Sequence, residues 1–347
     1  MRLVSIKEVK PGMILGKTIY RVDDGRILLK AEVELKPYYI KRIQALDYSY
    51  LYIRDPDEVI DESKFEPIRE ETRINATVAL KRTVAQLGQG KAVDFSQLKK
   101  VVAEMIDQIL VQKGIVYNLV DIRSHDNYTF AHSVNVCVLS LLIGSTLGLS
   151  RNDLEILAIG AMLHDVGKVF IDINILNKPM SLEPQEYEQV KCHTKDGYEL
   201  LKKKIDISFL PAHIAFQHHE REDGSGYPRG LNGRSIHRFA KVVAVADAFD
   251  AMTSTRVYQN GISTGQAIEK LSTEAVSKYD PKIVKNFIHI IAPYPVGSIL
   301  LLGNGDQVVV KSVSRYECQV KVMAGLHKDS VFDLYQYPEL KVTKRFS

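Results

Sequence analysis

The sequence predicts a mainly α protein, with a large all-helical domain flanked by small β-rich modules at its two ends. Three observations predict it. Short strand-like runs separated by turn residues fill the N-terminal stretch, helical periodicity runs from about Pro67 to Ala292, and strand-like runs return after Pro293 and Pro295. The domains expected are 1–60, a β-rich module; 61–117, a linker and helices leading inward; 118–292, the helical domain; and 293–347, a second β-rich module.

In the first module, Ile19-Tyr20-Arg21-Val22 and Arg26-Ile27-Leu28-Leu29 flank Asp23-Asp24-Gly25, which reads as a hairpin with a glycine for the positive φ. Tyr48 to Ile53 reads as a further strand. The acidic, turn-rich stretch Asp55-Pro56-Asp57-Glu58 with Asp61-Glu62-Ser63 marks a boundary. Helices follow from Glu70 to Leu87 and, after Gly88-Gln89-Gly90, from Asp94 to about Lys113. Leu98, Val101, Val102, Met105, Ile109 and Leu110 recur there at helical spacing, an apolar stripe that suits either intramolecular packing or a homodimer. At the far end, Ile299–Leu302 and Gln307–Val310 flank Gly303-Asn304-Gly305-Asp306, whose Asn-Gly pair is a strong hairpin signal.

Composition narrows the function. Among 347 residues, 45% are apolar and 25% charged, the values of an ordinary globular protein. A net charge of +4 with no dense basic stripe argues against a nucleic-acid polymer as partner. Cys137, Cys192 and Cys318 are odd in number and far apart, which fits a reducing cytoplasm rather than a disulfide framework. The run Val134–Leu149 is broken by polar residues and falls short of the roughly 20 residues of a membrane span. It reads as a buried helix. Met1 to Lys7 lacks the apolar core of a signal peptide, so a cytoplasmic protein without membrane insertion is expected.

Candidate chemistry concentrates in the helical domain. His132, His164, Asp165, His193, His218, His219 and Asp247 offer mixed imidazole and carboxylate ligands suited to Zn, Mn or Fe. Each has an ordinary reading alone. His132 shares a face with Val136, Leu139 and Ile143 and so points inward, as a core histidine also would. Adjacent residues at a helix end diverge by about 100°, so His164 and Asp165 approach a centre from different directions; a polar helix end looks the same. His193 lies in a charged helix and fits a solvated surface residue equally well. Asp247 sits among Val243, Ala244 and Ala251, where a bare carboxylate is costly. It needs a cation, strong donors or a raised pKa, and an arginine and a metal both qualify. Together the seven point to a site for more than one metal ion, an arrangement used to hydrolyse phosphate esters.

Longer patterns resemble a known family. His164-Asp165-Val166-Gly167-Lys168 matches the HDxGK signature of HD-domain phosphohydrolases. His218-His219-Glu220-Arg221-Glu222-Asp223-Gly224-Ser225-Gly226-Tyr227-Pro228 matches the HHExxDGxGYP signature of the HD-GYP subfamily. Asn174–Pro179 and Asp247–Ser254 also fit, so the resemblance spans about residues 120–292. It implies an all-helical HD-type domain and a metal-dependent phosphodiesterase that opens cyclic di-GMP to linear pGpG through metal-bound hydroxide, with GMP as a further product. The alternatives are a non-catalytic cyclic di-GMP sensor and a phosphodiesterase for another cyclic dinucleotide.

The resemblance also implies roles for residues. Two divalent metal ions, iron or manganese or another first-row metal, would be held by His132, His164, Asp165 and Asp247 and by Asp165, His193, His218 and His219, with Asp165 bridging. Some members add a third metal through a glutamate four residues before the first histidine; that position is Tyr128 here, so two are expected. Lys168 would neutralise the phosphate or assist the leaving 3′ oxygen. Tyr227 would stack on guanine, touch phosphate or pack within its loop, on which Gly224, Gly226 and Pro228 impose a tight shape. Arg256 matches a phosphate-contacting arginine. The RPY(K/R) continuation reads Arg256-Val257-Tyr258-Gln259, a departure that weakens the implied phosphate grip.

Overall fold

The computed structural model describes residues 2–21, 26–46, 48, 50–54, 67–90, 93–111, 128–178, 180–203, 209–254, 261–262, 264–291, 294, 297–314, 317–337 and 339–346. The chain divides into two compact units: residues 67–113 with 128–288, and residues 1–66 with 114–127 and 289–347.

The N-terminal module holds strands β1 (Arg2–Ser5), β2 (Ile14–Leu15), β3 (Ile19–Tyr20), β4 (Ile27–Leu29) and β5 (Tyr50–Arg54), and helix α1 (Pro37–Gln44). β5 lies between β1 and β2, antiparallel to both. β3 and β4 pair as the expected hairpin, whose turn at 22–25 lies outside the described residues. Helix α1 is an addition to the sequence reading. Its Pro37-Tyr38-Tyr39 start is aromatic and looks strand-like, yet proline at the first helical position pre-sets φ for a helix. Ile40 and Ile43, three apart, then bury one face into a core with Leu15, Leu35, Leu51 and Ile53.

The C-terminal module is an antiparallel sheet of β6 (Ile299–Leu302), β7 (Gln307–Val313), β8 (Cys318–Ala324), β9 (Val331–Asp333) and β10 (Val342–Phe346), in the order β10-β6-β7-β8-β9. Burial alternates along β6 and β7, as a sheet with one covered face requires. Leu300, Leu302, Val308, Val310, Val320 and Val322 form that face. Gly305 takes the positive φ, 88°, that the β6–β7 turn demands.

The helical unit contains α2 (Glu70–Gly88), α3 (Ser96–Val111), α4 (Tyr128–Thr146), α5 (Arg151–Met162), α6 (Ile173–Leu176), α7 (Pro184–Leu201), α8 (Leu210–Gln217), α9 (Arg238–Thr253), α10 (Thr264–Glu274) and α11 (Pro281–Ile288), with a 3-10 turn at Val166–Phe170. Helix α4 is apolar around most of its surface, and Val134, Val136, Val138, Leu141, Leu142 and Ile143 are all fully buried. Such a helix belongs at the centre of a bundle, and α4 packs against α5 and α9. Ser150 starts α5 by accepting a hydrogen bond from the Asp153 amide, which satisfies one orphan donor. The apolar stripe of α3 is buried within the unit, where α3 packs on α2, α4 and α5. No helix among the described residues is long and apolar enough to cross a membrane.

Candidate metal centre

Five parts of the helical unit converge on one point. α4 supplies His132, the segment after α5 supplies His164 and Asp165, and α7 supplies His193. The end of α8 supplies His218 and His219, and α9 supplies Asp247. His164 and Asp165 do not lie on the last turn of α5, as the sequence reading had it. The helix ends at Met162 with Leu163 as its cap, and the pair occupies the turn that leads into the 3-10 segment. Gly167 explains that placement. A Cβ there would lie 2.0 Å from the His193 carbonyl oxygen and 2.6 Å from the Gly197 nitrogen. Only glycine lets the turn press directly on the backbone of α7, which brings Asp165 against His193.

Asp165 is the hub. Its Oδ1 lies 3.4 Å from His193 Nε2 and 3.9 Å from His218 Nε2. Its Oδ2 lies 3.4 Å from His164 Nε2 and 3.8 Å from His132 Nε2. Asp247 Oδ1 reaches His132 Nε2 at 3.2 Å. Ligand atoms of Asp165, His193, His218 and His219 fall within 4.8 Å of one another, and so do those of His132, His164 and Asp165. Asp165 belongs to both groups.

The histidines are oriented by their other nitrogens. Nδ1 of His164 donates to the Ala161 carbonyl at 2.7 Å, that of His193 to Val190 at 2.6 Å, and that of His218 to Ala215 at 2.9 Å. A carbonyl only accepts, so each of these rings carries a proton on Nδ1 and turns Nε2 toward the centre. Every one of these bonds reaches back three residues, so local backbone sets the tautomer. His132 is held differently, with Nδ1 2.6 Å from Asp250 Oδ2. Asn135 donates to the other Asp250 oxygen at 3.1 Å. An imidazole backed by a carboxylate is a common outer support for a metal ligand.

Electrostatics agree with a cation site. Burial lowers the His193 pKa to about 4 and drives those of His218 and His219 well below the usual imidazole range, keeping all three rings neutral. For His132, burial acts in the same direction but is outweighed by hydrogen bonds to Asp247 and Asp250, and the pKa rises to about 9. Burial raises the pKa of Asp165, yet Lys168 and His164 more than reverse it and hold the carboxyl well below its ordinary value. Asp247 is likewise held down against burial by His132. Among the described residues, His164 Nε2 and Asp165 Oδ1 are buried and make no hydrogen bond. The neutral rings of His193, His218 and His219, the ionised carboxylates of Asp165 and Asp247 and two orphaned ligand atoms form a donor set that fits divalent metal, while the raised His132 pKa reflects its hydrogen bonds to two carboxylates.

A cavity of about 310 Å³ opens on this cluster, lined by His132, Asp165, Lys168, His219, Arg221 and Asp247. Lys168 Nζ lies 2.5 Å from Asp165 Oδ2. Tyr227 stacks on the His219 ring with centroids 4.6 Å apart and planes 26° apart, and burial pushes its hydroxyl pKa upward. Its loop folds onto the histidine pair: a Cβ on Gly226 would lie 2.4 Å from the His219 carbonyl oxygen and 2.5 Å from the Arg221 nitrogen. That glycine therefore permits approach to the chain's own backbone. Arg256 lies outside the described residues, and so does the side chain of Tyr128. Cys192 is exposed, its thiol near the Glu188 carbonyl.

Sequence reasoning overlooked Asp250 and Glu220. Asp250 lies three residues after Asp247, on the same helix face, and that spacing was a usable signal. Glu220 is buried and accepts hydrogen bonds from the Arg229 and Leu231 amides, both at 2.8 Å, so it braces the loop that carries Tyr227. Nothing local signals those partners, which are backbone groups nine and eleven residues away.

Comparison with known proteins agrees with this geometry. Residues 116–283 match the HD domain family. Over 239 residues the chain is 33% identical to the cyclic di-GMP phosphodiesterase PA4108 of Pseudomonas aeruginosa, covering 69% of this chain and 57% of the relative. Over 166 residues it is 40% identical to a cyclic di-GMP phosphodiesterase of Thermotoga maritima, covering 48% of this chain and 45% of the relative. It thus spans about half the length of these relatives. The solved structure of Bd1817, a HDG"Y"P protein from Bdellovibrio bacteriovorus, superposes with a TM-score of 0.51 at 16% identity. That match covers 82% of this chain and 97% of the other, and it speaks for the fold. With both signatures placed on one helical unit, residues 116–283 form a domain of the HD family, of the HD-GYP type.

Proposed function

We propose that the chain is a metal-dependent phosphodiesterase that hydrolyses cyclic di-GMP to pGpG, with GMP as a further product. The observation that carries this reading is Asp165, whose two oxygens face two separate groups of histidine nitrogens. One carboxylate between two ligand sets is what a paired-metal site needs. We assign His132, His164, Asp165 and Asp247 to one ion and Asp165, His193, His218 and His219 to the other, with iron or manganese as the metals. When bound, such ions supply an activated water and neutralise phosphoryl oxygens.

The chain's own groups do the rest. In this reading the attacking oxygen comes from water, and the described cavity lining offers no serine, threonine or cysteine in its place. Lys168, on the cavity wall beside Asp165, donates to a phosphoryl or leaving oxygen. We assign a base contact to Tyr227, which is stacked on His219, and a further phosphate contact to Arg256. The catalytic domain is assigned to 118–292, with the β-rich modules outside it.

The test is anaerobic turnover of cyclic di-GMP by protein loaded with Fe(II) or Mn(II), with metal content measured and Asp165→Ala alongside. Turnover needing about two ions per chain and vanishing in the variant supports the reading. Tight binding of cyclic di-GMP with no turnover at full metal loading replaces it with a sensor.

A further inference from the structure

The wall of the same cavity includes cations that the proposed reaction leaves unassigned. Arg221, Lys270 and Tyr279 line it together with Lys168. Arg221 follows the histidine pair directly, and its side chain is fixed by three contacts. Nη1 donates to the His218 carbonyl at 3.2 Å and to the Glu220 carbonyl at 3.0 Å. The guanidinium carbon sits 5.0 Å from the centre of the Tyr279 ring, which α10 and α11 flank in the sequence. Stacking on an aromatic face and main-chain anchoring both restrict a side chain that is otherwise flexible.

Only Nη1 is used in these contacts. Among the described residues, Nε and Nη2 of Arg221 make no hydrogen bond, and no carboxylate forms an ion pair with the group. A planar fork held in place, with donors left over and no counter-ion, is suited to bind a phosphate in bidentate fashion. Lys270 lines the same wall from α10, and it too has no ion-pair partner among the described residues. The nearby carboxylate of Glu274 faces Lys278 at 3.5 Å. A cavity of about 310 Å³ is at the small end of ligand-sized pockets, so a single ligand touches both the metal cluster and this wall.

We infer that Arg221, positioned by Tyr279 and assisted by Lys270, forms a second anion subsite that holds the non-scissile phosphate of a dinucleotide. The inference rests on the phosphodiesterase reading for the place of the first phosphate. It makes ligands with two phosphates the preferred occupants and leaves mononucleotides with only the metal cluster.

The experiment compares pGpG, with two phosphates, and GMP, with one, by calorimetric binding to the metal-loaded full chain. Arg221→Gln is expected to weaken pGpG by tenfold or more and GMP by less than about twofold, with metal content unchanged. Lys270→Gln, at an exposed helix position that does not threaten folding, is expected to weaken pGpG about threefold and to spare GMP. Equal weakening of both ligands, or of neither, in these variants overturns the subsite. Wild-type turnover of cyclic di-GMP, measured in parallel, judges the activity separately. If turnover is absent while pGpG binding still depends on Arg221 and Lys270, the activity falls and the subsite stands.

Discussion

The helical unit and the C-terminal sheet each contain a buried aspartate that faces a histidine, and the two clusters differ in how many elements build them. Asp306 ends the β6–β7 turn. Its Oδ2 accepts from Asn304, two residues away, at 2.8 Å and meets His327 Nδ1 at 2.7 Å. The His327 side chain is 63% exposed. Asp165 instead gathers nitrogens from α4, α7, α8 and its own turn, all of them buried. A lone histidine and carboxylate thus make a turn brace, whereas convergence of several helices brings four ring nitrogens to one carboxylate. Residue type is the same in both places; the number of rigid elements that meet is what differs.

Removing the hub tests this contrast most severely. Asp165→Ala should lose most bound metal and all measurable turnover, a drop of at least roughly a thousandfold, because both ligand groups share that carboxylate. Retention of two ions by elemental analysis, with turnover intact, would falsify the bridging role. Next in size is Asp250→Asn, which keeps the shape but weakens the carboxylate behind His132. Metal affinity should fall by about 10–100-fold, read by competition with a chelator; an unchanged affinity would make Asp250 a packing residue. Lys168→Ala should keep its metal and slow kcat on the order of a hundredfold. An unaltered kcat removes Lys168 from the chemistry.

The smallest effect belongs to the sheet. Asp306→Asn should leave metal content and turnover within about twofold of wild type, the variation expected of a residue outside a site. It should change only the thermal stability of the C-terminal module. The hydrogen bond to His327 lowers the Asp306 pKa below its ordinary value. A carboxylate depressed in the folded state stabilises at pH above its unfolded pKa, and that contribution is lost as pH falls through the folded value. Melting curves at neutral and strongly acidic pH should therefore differ more for the wild type than for Asp306→Asn. Loss of metal in this variant would show that the two clusters are not independent.

Much of this protein was legible before any coordinates. Helix α2, expected from Glu70 to Leu87, spans Glu70–Gly88, and the β6–β7 hairpin forms where Asn304-Gly305 indicated. Hydrophobic period and turn chemistry act within a few residues, so they are visible in one dimension. The seven candidate ligands were also legible, because imidazoles and carboxylates in long signatures mark chemistry whatever their final geometry. Helix α1 escaped notice because its aromatic start reads as a strand and its two isoleucines give only one turn of periodicity.

Other features existed only in three dimensions. That His164 and Asp165 lie beyond the end of α5 depends on Gly167 meeting the backbone of α7, a contact between residues far apart in the chain. Asp250 behind His132 and Arg221 over Tyr279 depend on how α4, α9 and the loop after α8 pack. The sequence by itself determined which groups were available and which segments were helices. Tertiary structure decided which helices bring their rings to Asp165, and which cations line the cavity. Those outcomes are set by long-range packing, in which each helix's position depends on the side chains of its neighbours, and no local pattern encodes them.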